Sequence, residues 1–391
     1  MPTYTNIATL EVLTQDEFSA LVCNKEFTCC DYTDNVWFTN NEAKNEYEWQ
    51  LYFQANNMCS DGNAPVNTVA PVISGTLVVG SVLTTTNGTW TSDTGIIPPY
   101  TYQWKRGVTN IGTDANTYTL VTADAGQNIT CVVTACDSDG CTPATSNSVY
   151  ILDADYASVL ARGTTLGYTL PDATLQVKQN ATVLSLKSAG IWSKLDVLYF
   201  FATNNSNMAT LNFKAPSSHQ VTLVNSPSFT ASQGFKGNAS TSYLNTNFNP
   251  ATSGVQYTLN NASRFIYLKT AFVTPVMYIL DNSAGGPINR MNNRSDNDQK
   301  INQGTGVISS NADLSGAGLK AINRTSSTNV ELFNGTTQIS RTATSTSINS
   351  GNQWILPSGG DACASVYGMG ASLVAENGAL KTILDTYINS L

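Results

Sequence analysis

Residues 281–304 read DNSAGGPINRMNNRSDNDQKINQG, and here the chain concentrates groups suited to recognition. Asn282, Asn289, Asn292 and Asn293 bring amides, Arg290 and Arg294 guanidiniums, and Asp296 a carboxylate. Such planar groups make directional hydrogen bonds of the kind sugar hydroxyls accept and return. Asn282, Arg290, Asn292, Asn293, Arg294 and Asp296 are therefore the candidate ligand-binding residues, with carbohydrate as the ligand. Only Ile288, Met291 and Ile301 in this stretch are of core size, so a solvated loop between strands is the plainer alternative. Trp354 and Tyr367 could offer stacking faces, although burial is the commoner fate of such rings.

Catalysis would need a nucleophile beside a base, paired carboxylates, or a metal. The one histidine, His219, lies in APSSHQVTL, and no G-x-S-x-G elbow surrounds any serine. It reads as turn or strand surface. Glycoside hydrolysis would need two carboxyl groups about 5 to 9 Å apart. From residue 197 onward the acids are Asp281, Asp296, Asp298, Asp313, Glu331, Asp361, Glu376 and Asp385, without an E-x-D-x-E strand pattern. No catalytic residue is expected. Calcium needs six to eight oxygen ligands; DSDG (137–140) and DNDQK (296–300) would each supply two or three. No cofactor is expected beyond this weak calcium option, and no metal residue is assigned.

Eight cysteines in 391 residues make no disulfide scaffold. Cys23, Cys29, Cys30 and Cys59 fit no common C-x2-C zinc spacing. Cys136 and Cys141 flank the DSDG turn and would either close it covalently or remain thiols.

Charged residues make up 12% of the chain, well below the roughly 25% of typical soluble domains. Asn, Thr, Ser and Gly fill the gap, as suits short strands and tight turns under a neutral polar surface. Net charge is −8, without a Lys/Arg cluster, so nucleic acid is not an expected partner. No apolar run reaches the roughly 18 residues of a membrane helix, so no membrane insertion is expected. The opening MPTYTNIATLEV lacks a basic n-region and an apolar h-region, so no secretory signal is expected. Release by lysis within a virus particle is one route that needs none.

Four segments must position these groups. Residues 1–64 hold 10 of the 27 acids; within them NEAKNEYEWQLYFQ reads as helix or strand, and SDGNAP as a linker. Residues 65–151 carry about seven short strands at sandwich spacing, with two strands around Gly80, a turn at Asn87-Gly88, and YTYQWKRG supplying Tyr102 and Trp104 to the inner layer. Residues 152–196 have helical spacing broken at Pro171 and ending at Gly190, which predicts a connector of two short helices. In 197–391, VLYFFAT, ATLNFKA, RFIYLKT, PVMYILD, NVELFNG and NQWILP read as strands. Leu380, Ile383, Leu384 and Ile388 give the closing segment an amphipathic helical pattern.

Gly88-Thr89-Trp90, Tyr102-Gln103-Trp104, Thr117-Tyr118-Thr119-Leu120 and DAGQNITCVVTAC resemble bacterial and phage immunoglobulin-like domains. Ile129 stands where that family has its corner tyrosine, and Thr85 where a partner for Cys131 would stand, so the resemblance implies no cross-sheet disulfide. AGIWSKLDVLYFFAT, GFKGNASTSYLNTNFNP, RFIYLKT and LKAINRTSSTNVELFNGT resemble concanavalin-like, laminin-G type jelly rolls that end many phage structural proteins. The implied fold is mainly β: a small N-terminal anchoring domain, an immunoglobulin-like sandwich, the helical connector, and a jelly roll with a C-terminal helix. The implied protein is a head or tail fibre on the surface of a tailed phage of Bacteroidetes-type hosts. It would be bound to other virion proteins through residues 1–64, trimeric, and in contact with a host-surface glycan. A purely architectural decoration protein is the alternative, and a glycan-cleaving tailspike a remoter one.

Overall fold

A computed structural model describes residues 3–6, 12–14, 36–39, 42–45, 48–49, 63–92, 95–238, 240–273, 278–283, 288–292, 299–304, 314–357 and 361–391. They divide into two compact units, Met1–Ile151 and Leu152–Leu391. The protein is mainly β, with antiparallel sheets and a C-terminal helix.

In the first unit, β1 (Thr3–Asn6), β2 (Val12–Thr14), β3 (Val36–Thr39) and β4 (Glu42–Asn45) form an antiparallel sheet ordered β2-β1-β3-β4. NEAKNEYEWQLYFQ thus begins as a strand, followed by helical residues at 48–49. Cys23, Cys29, Cys30 and Cys59 lie outside the described residues.

Next come β5 (Val66–Val69), β6 (Ile73–Gly75), β7 (Val82–Thr85), β8 (Thr89–Thr91), β9 (Ile97–Arg106), β10 (Thr109–Ile111), β11 (Thr117–Thr119), β12 (Asn128–Cys136), β13 (Cys141–Thr145) and β14 (Val149–Tyr150). One sheet runs β11-β7-β6, and another β10-β9-β12-β13 with β14 beside β12; β5 pairs with β8. Of the two strands expected around Gly80, the earlier one forms upstream as β6. Gly80 itself sits in a turn closed by the Ser81 N–H on the Val78 carbonyl, 3.1 Å. The Asn87-Gly88 turn is present. Gly88 has φ +77, and a Cβ there would lie 2.5 Å from the Val69 carbonyl oxygen, so the position requires glycine.

Ile73 and Leu83 from the first sheet meet Trp104, Ile129, Cys131 and Val133 from the second in one buried cluster, which makes a sandwich. Trp104 is fully buried, and its indole N–H donates to the Ala115 carbonyl at 2.9 Å. Burying such a ring contributes about 2–3 kcal/mol. Tyr102 lies at the rim, half-buried, its hydroxyl on Asn87 Oδ1 at 2.6 Å. Cys131 is a buried free thiol opposite Trp104, and burial pushes its pKa up to about 11. Cys136 and Cys141 form the disulfide that closes their hairpin. Buried Asp124 ties strands of the two sheets together: it accepts from Arg106 Nε (2.7 Å), the Tyr118 hydroxyl (2.9 Å) and the Val121 N–H (2.7 Å).

The second unit opens with α1 (Ala154–Thr165) and α2 (Ala173–Ser188), N-capped by Asp153 and Asp172. Then follow β15 (Leu195–Phe200), α3 (Ser206–Ala209), β16 (Thr222–Val224), β17 (Ser228–Thr230), β18 (Gly234–Lys236), β19 (Tyr243–Asn245) and α4 (Pro250–Ser253). After them come β20 (Ala262–Leu268), β21 (Tyr278–Asn282), β22 (Ile288–Asn292), β23 (Lys300–Gln303), β24 (Gly318–Arg324), β25 (Asn329–Asn334), β26 (Thr337–Thr342), β27 (Gln353–Ile355), β28 (Cys363–Gly370) and α5 (Asn377–Ser390). The back sheet is ordered β17-β18-β28-β20-β24-β25-β26 with β15 also on β28, and the front sheet β16-β19-β27-β21-β22-β23. Tyr199, Ile266 and Ile322 of the back sheet share a core with Leu244, Leu280, Met291 and Ile355 of the front sheet.

The other face of the back sheet, with Leu198, Phe200 and Phe265, is covered by Tyr156, Val159, Val183 and Leu186 of α1 and α2 and by Leu380, Leu384 and Ile388 of α5. The helices of 152–196 are therefore a layer of this unit. ATLNFKA, expected as a strand, is instead the end of α3 and irregular backbone. Asn212 within it turns inward so that its Oδ1 accepts the Leu198 N–H at 3.1 Å.

Two consequences are measurable. Asp124→Ala is expected to cost the first unit about 2–3 kcal/mol in chemical denaturation, since three donors lose a charged acceptor. Replacing Cys136 and Cys141 by serine is expected to cost about 2 kcal/mol, the chain-entropy value for so short a loop, and to leave the fold in place.

Candidate functional site

The described residues of the stretch read as a polar loop are largely strand. β22 and β23 run through it, and β21 ends in it. The reason lies in the residues of core size: Met291 and Ile301 are fully buried between the sheets, and the polar side chains beside them are buried with partners. Asn289 Oδ1 accepts from the Tyr257 hydroxyl (3.2 Å) and the Asn302 N–H (2.8 Å), and Asn289 Nδ2 reaches Gln353 Oε1 (3.3 Å). Buried amides satisfied in this way cost little, so the strands can pair.

Register fixes which side chains emerge. β21 pairs with β27 so that Leu280 faces Ile355 and Asp281 faces Trp354. Leu280, Ile355 and Met291 point into the core, so the alternate residues Asp281, Trp354 and Arg290 lie on the outer face, each half-buried. Arg290 holds Asp281 through Nη2 (3.1 Å) and Nε (3.3 Å) to Oδ2, and its guanidinium stacks 4.6 Å over Tyr278. Burial raises the Asp281 pKa, and the charge and hydrogen bonds of Arg290 oppose that rise.

From below, Arg264 of β20 crosses the core. Fully buried, it donates through Nη1 to the Asn289 carbonyl (2.8 Å) and through Nη2 to the carbonyls of Asp281 (3.1 Å) and Trp354 (3.4 Å); Nε reaches the Tyr367 hydroxyl (3.2 Å). Three front-sheet strands are thus tied to one guanidinium beneath the outer face. Sequence reasoning did not single out Arg264, and it named Asp281 only among the acids weighed for hydrolysis. The signal available was alternation: ILDN, NRM and QWI each place a polar or aromatic residue beside a buried aliphatic one.

Among the residues expected to bind ligand, Arg290 stands on the outer face. Asn282 closes the end of the β21–β22 hairpin, Oδ1 accepting the Asn289 N–H (2.9 Å) and Nδ2 donating to the Ser283 carbonyl (2.8 Å). Asn292 is fully buried; its N–H and carbonyl are bracketed by the Gln299 amide at 3.2 and 2.6 Å. Asn293, Arg294 and Asp296 lie outside the described residues. Of the three described members, Arg290 lies on Asp281, and Asn282 and Asn292 make strand-closing contacts. Of the two rings considered for stacking, Tyr367 is fully buried, whereas Trp354 is half-buried beside Tyr243.

The remaining described carboxylates of this unit are each occupied locally. Glu331 accepts from Asn329, Gln338 and Ser340, and these donors hold it below the usual range against the opposing pull of burial. Asp361 accepts the Val273 N–H, Glu376 pairs with Lys194 at 2.7 Å, and Asp385 takes the Tyr267 hydroxyl at 2.7 Å together with Lys381. Asp296, Asp298 and Asp313 lie outside the described residues. His219 has φ +56, its Nδ1 is 2.8 Å from the Asn247 carbonyl, and its ring packs edge-on against Phe248. In DSDG, Asp137 closes the turn by accepting the N–H groups of Asp139 and Gly140 and the Ser92 hydroxyl. Among the described residues no three His, Cys, Asp or Glu side chains form a metal-holding group.

The Asp281 shift has a sign that can be checked. A carboxyl whose pKa is raised by folding binds protons more tightly in the folded state, so its ionisation costs stability once the pH rises past the unfolded value. Asp281→Asn is therefore expected to be at least as stable as the parent at neutral pH. The difference between the two should shrink as pH falls through the ordinary carboxylate range in denaturant titrations. Compared with known proteins, the chain matches no protein-family model and no curated protein.

Proposed function

We propose that this chain is a structural surface protein of a tailed phage particle, a head or tail fibre that displays an immunoglobulin-like and a lectin-like unit for attachment to the host. Residues 1–64 hold other virion proteins, and the C-terminal sandwich meets a glycan of the host surface. One observation carries the reading. The described acids of that sandwich are each tied to a local donor, while its front sheet turns rings and a paired carboxylate and guanidinium outward. Such a face holds a ligand without cleaving it. The scarcity of charge across the chain suits a surface piece that must not attract ions or nucleic acid.

Single sugar sites bind weakly, so a fibre gains from several copies, and we assign the protein a homotrimer. Light scattering of the full-length protein, joined to a sedimentation assay with host cells, tests the reading. A mass of three chains and retention on cells is the expected result. A trimer that ignores every cell type would favour the architectural decoration role, and a monomer that binds nothing would end the fibre reading.

A further inference from the structure

Across the front sheet, Asn245 of β19, Trp354 of β27 and Asp281 of β21 lie directly opposite one another. Arg290 of β22 continues the row through its ion pair with Asp281. Directly opposed residues share a face, so this row runs at right angles to the strands over four of them, about 14 Å at the usual strand spacing. Tyr243 flanks the row, its ring 4.8 Å from that of Trp354 at an angle of 43°. At the far end Tyr278 lies under Arg290.

We propose that this outer face is a binding site for an uncharged polysaccharide. The proposal deepens the attachment reading and rests on it. Three features select the ligand. The Tyr243–Trp354 pair is tilted and half-buried, and rings of this kind pack against the C–H side of a pyranose. Beside them, the paired Asp281 carboxylate and Arg290 guanidinium, both partly exposed, bring acceptors and donors suited to vicinal hydroxyls. The two charges of the pair oppose each other, and Lys300, opposite Arg290 on β23, is buried, so the face offers an ionic polymer little to gain. The row is as long as roughly two or three linked sugar rings, which favours a chain over a single terminal sugar.

The face is also held ready. The carbonyls of Asp281 and Trp354, two members of the row, are the acceptors of Arg264 Nη2 from below. A backbone fixed in this way need not be ordered on binding, which lowers the entropic cost of capture.

Full-length protein, its Trp354→Ala variant and its Asp281→Asn variant are to be titrated against dextran, galactan and mannan, with chondroitin sulfate as the charged comparison. Cell sedimentation is run in parallel. Trp354→Ala could perturb packing; Asp281→Asn changes one atom of a group whose ionisation already costs stability, so it serves as the second probe. The expected result is binding to at least one neutral polymer, roughly tenfold weaker in either variant, with chondroitin sulfate ignored. Neutral-polymer binding that both variants retain in full would overturn the site. Cell attachment by the parent without binding to any neutral polymer, or with preference for chondroitin sulfate, would overturn it while leaving the attachment reading in place. Attachment to neither cells nor polymers would remove both.

Discussion

A guanidinium sealed between two sheets dictates much of the C-terminal unit. Arg264 enters from β20 and reaches the carbonyls of Asn289, Asp281 and Trp354, which belong to β22, β21 and β27. A buried cation is costly unless its donors are satisfied, so the front sheet must bring those carbonyls to it. The fork is planar and rigid, and the acceptors must match its geometry. β21 has a register irregularity between Tyr278 and Leu280, beside the strand end where the guanidinium is received. The outer face inherits this order, because the backbone beneath Asp281 and Trp354 is the backbone that Arg264 holds.

The same unit is organised in three layers. Helices α1, α2 and α5 cover one face of the back sheet, and the front sheet covers the other. A buried polar chain links the helices to the sheet: the Tyr156 hydroxyl donates to Gln179, Gln179 donates to the Tyr387 hydroxyl, and Tyr387 donates to the Ala202 carbonyl. Each of these groups would be costly if left without a partner, so the contacts specify one seating of α2 and α5 on the sheet. With the far face of the back sheet closed by helices, half-buried rings and polar groups stand on the outer face of the front sheet.

What the sequence showed and what it hid have the same physical origin. Trp104 and the Leu380, Leu384 and Ile388 stripe were legible because large apolar residues at the period of their element must be buried. β22 and β23 were not, because Asn289, Asn292, Asn302 and Gln303 occupy buried positions and break the apolar pattern; Asn289 and Asn302 find partners as far off as Tyr257 and Gln353. ATLNFKA alternates like a strand, yet Asn212 spends its side chain on the Leu198 backbone, and the segment bends. Of the candidate site, Arg290 could be read from its type. The pairing of Asp281 with Arg290, and of Trp354 with Tyr243, depends on register that only long-range pairing sets.

The claim on which the rest stands is that Arg264 fastens the front sheet. Hydrogen exchange read by mass spectrometry, on the parent and on Arg264→Lys, tests it most directly. An ammonium cannot span acceptors on three strands. Loss of protection concentrated in β21, β22 and β27, with β20, β28 and α5 still protected, is the predicted result. Unchanged protection, or a uniform loss over both sheets, would contradict it.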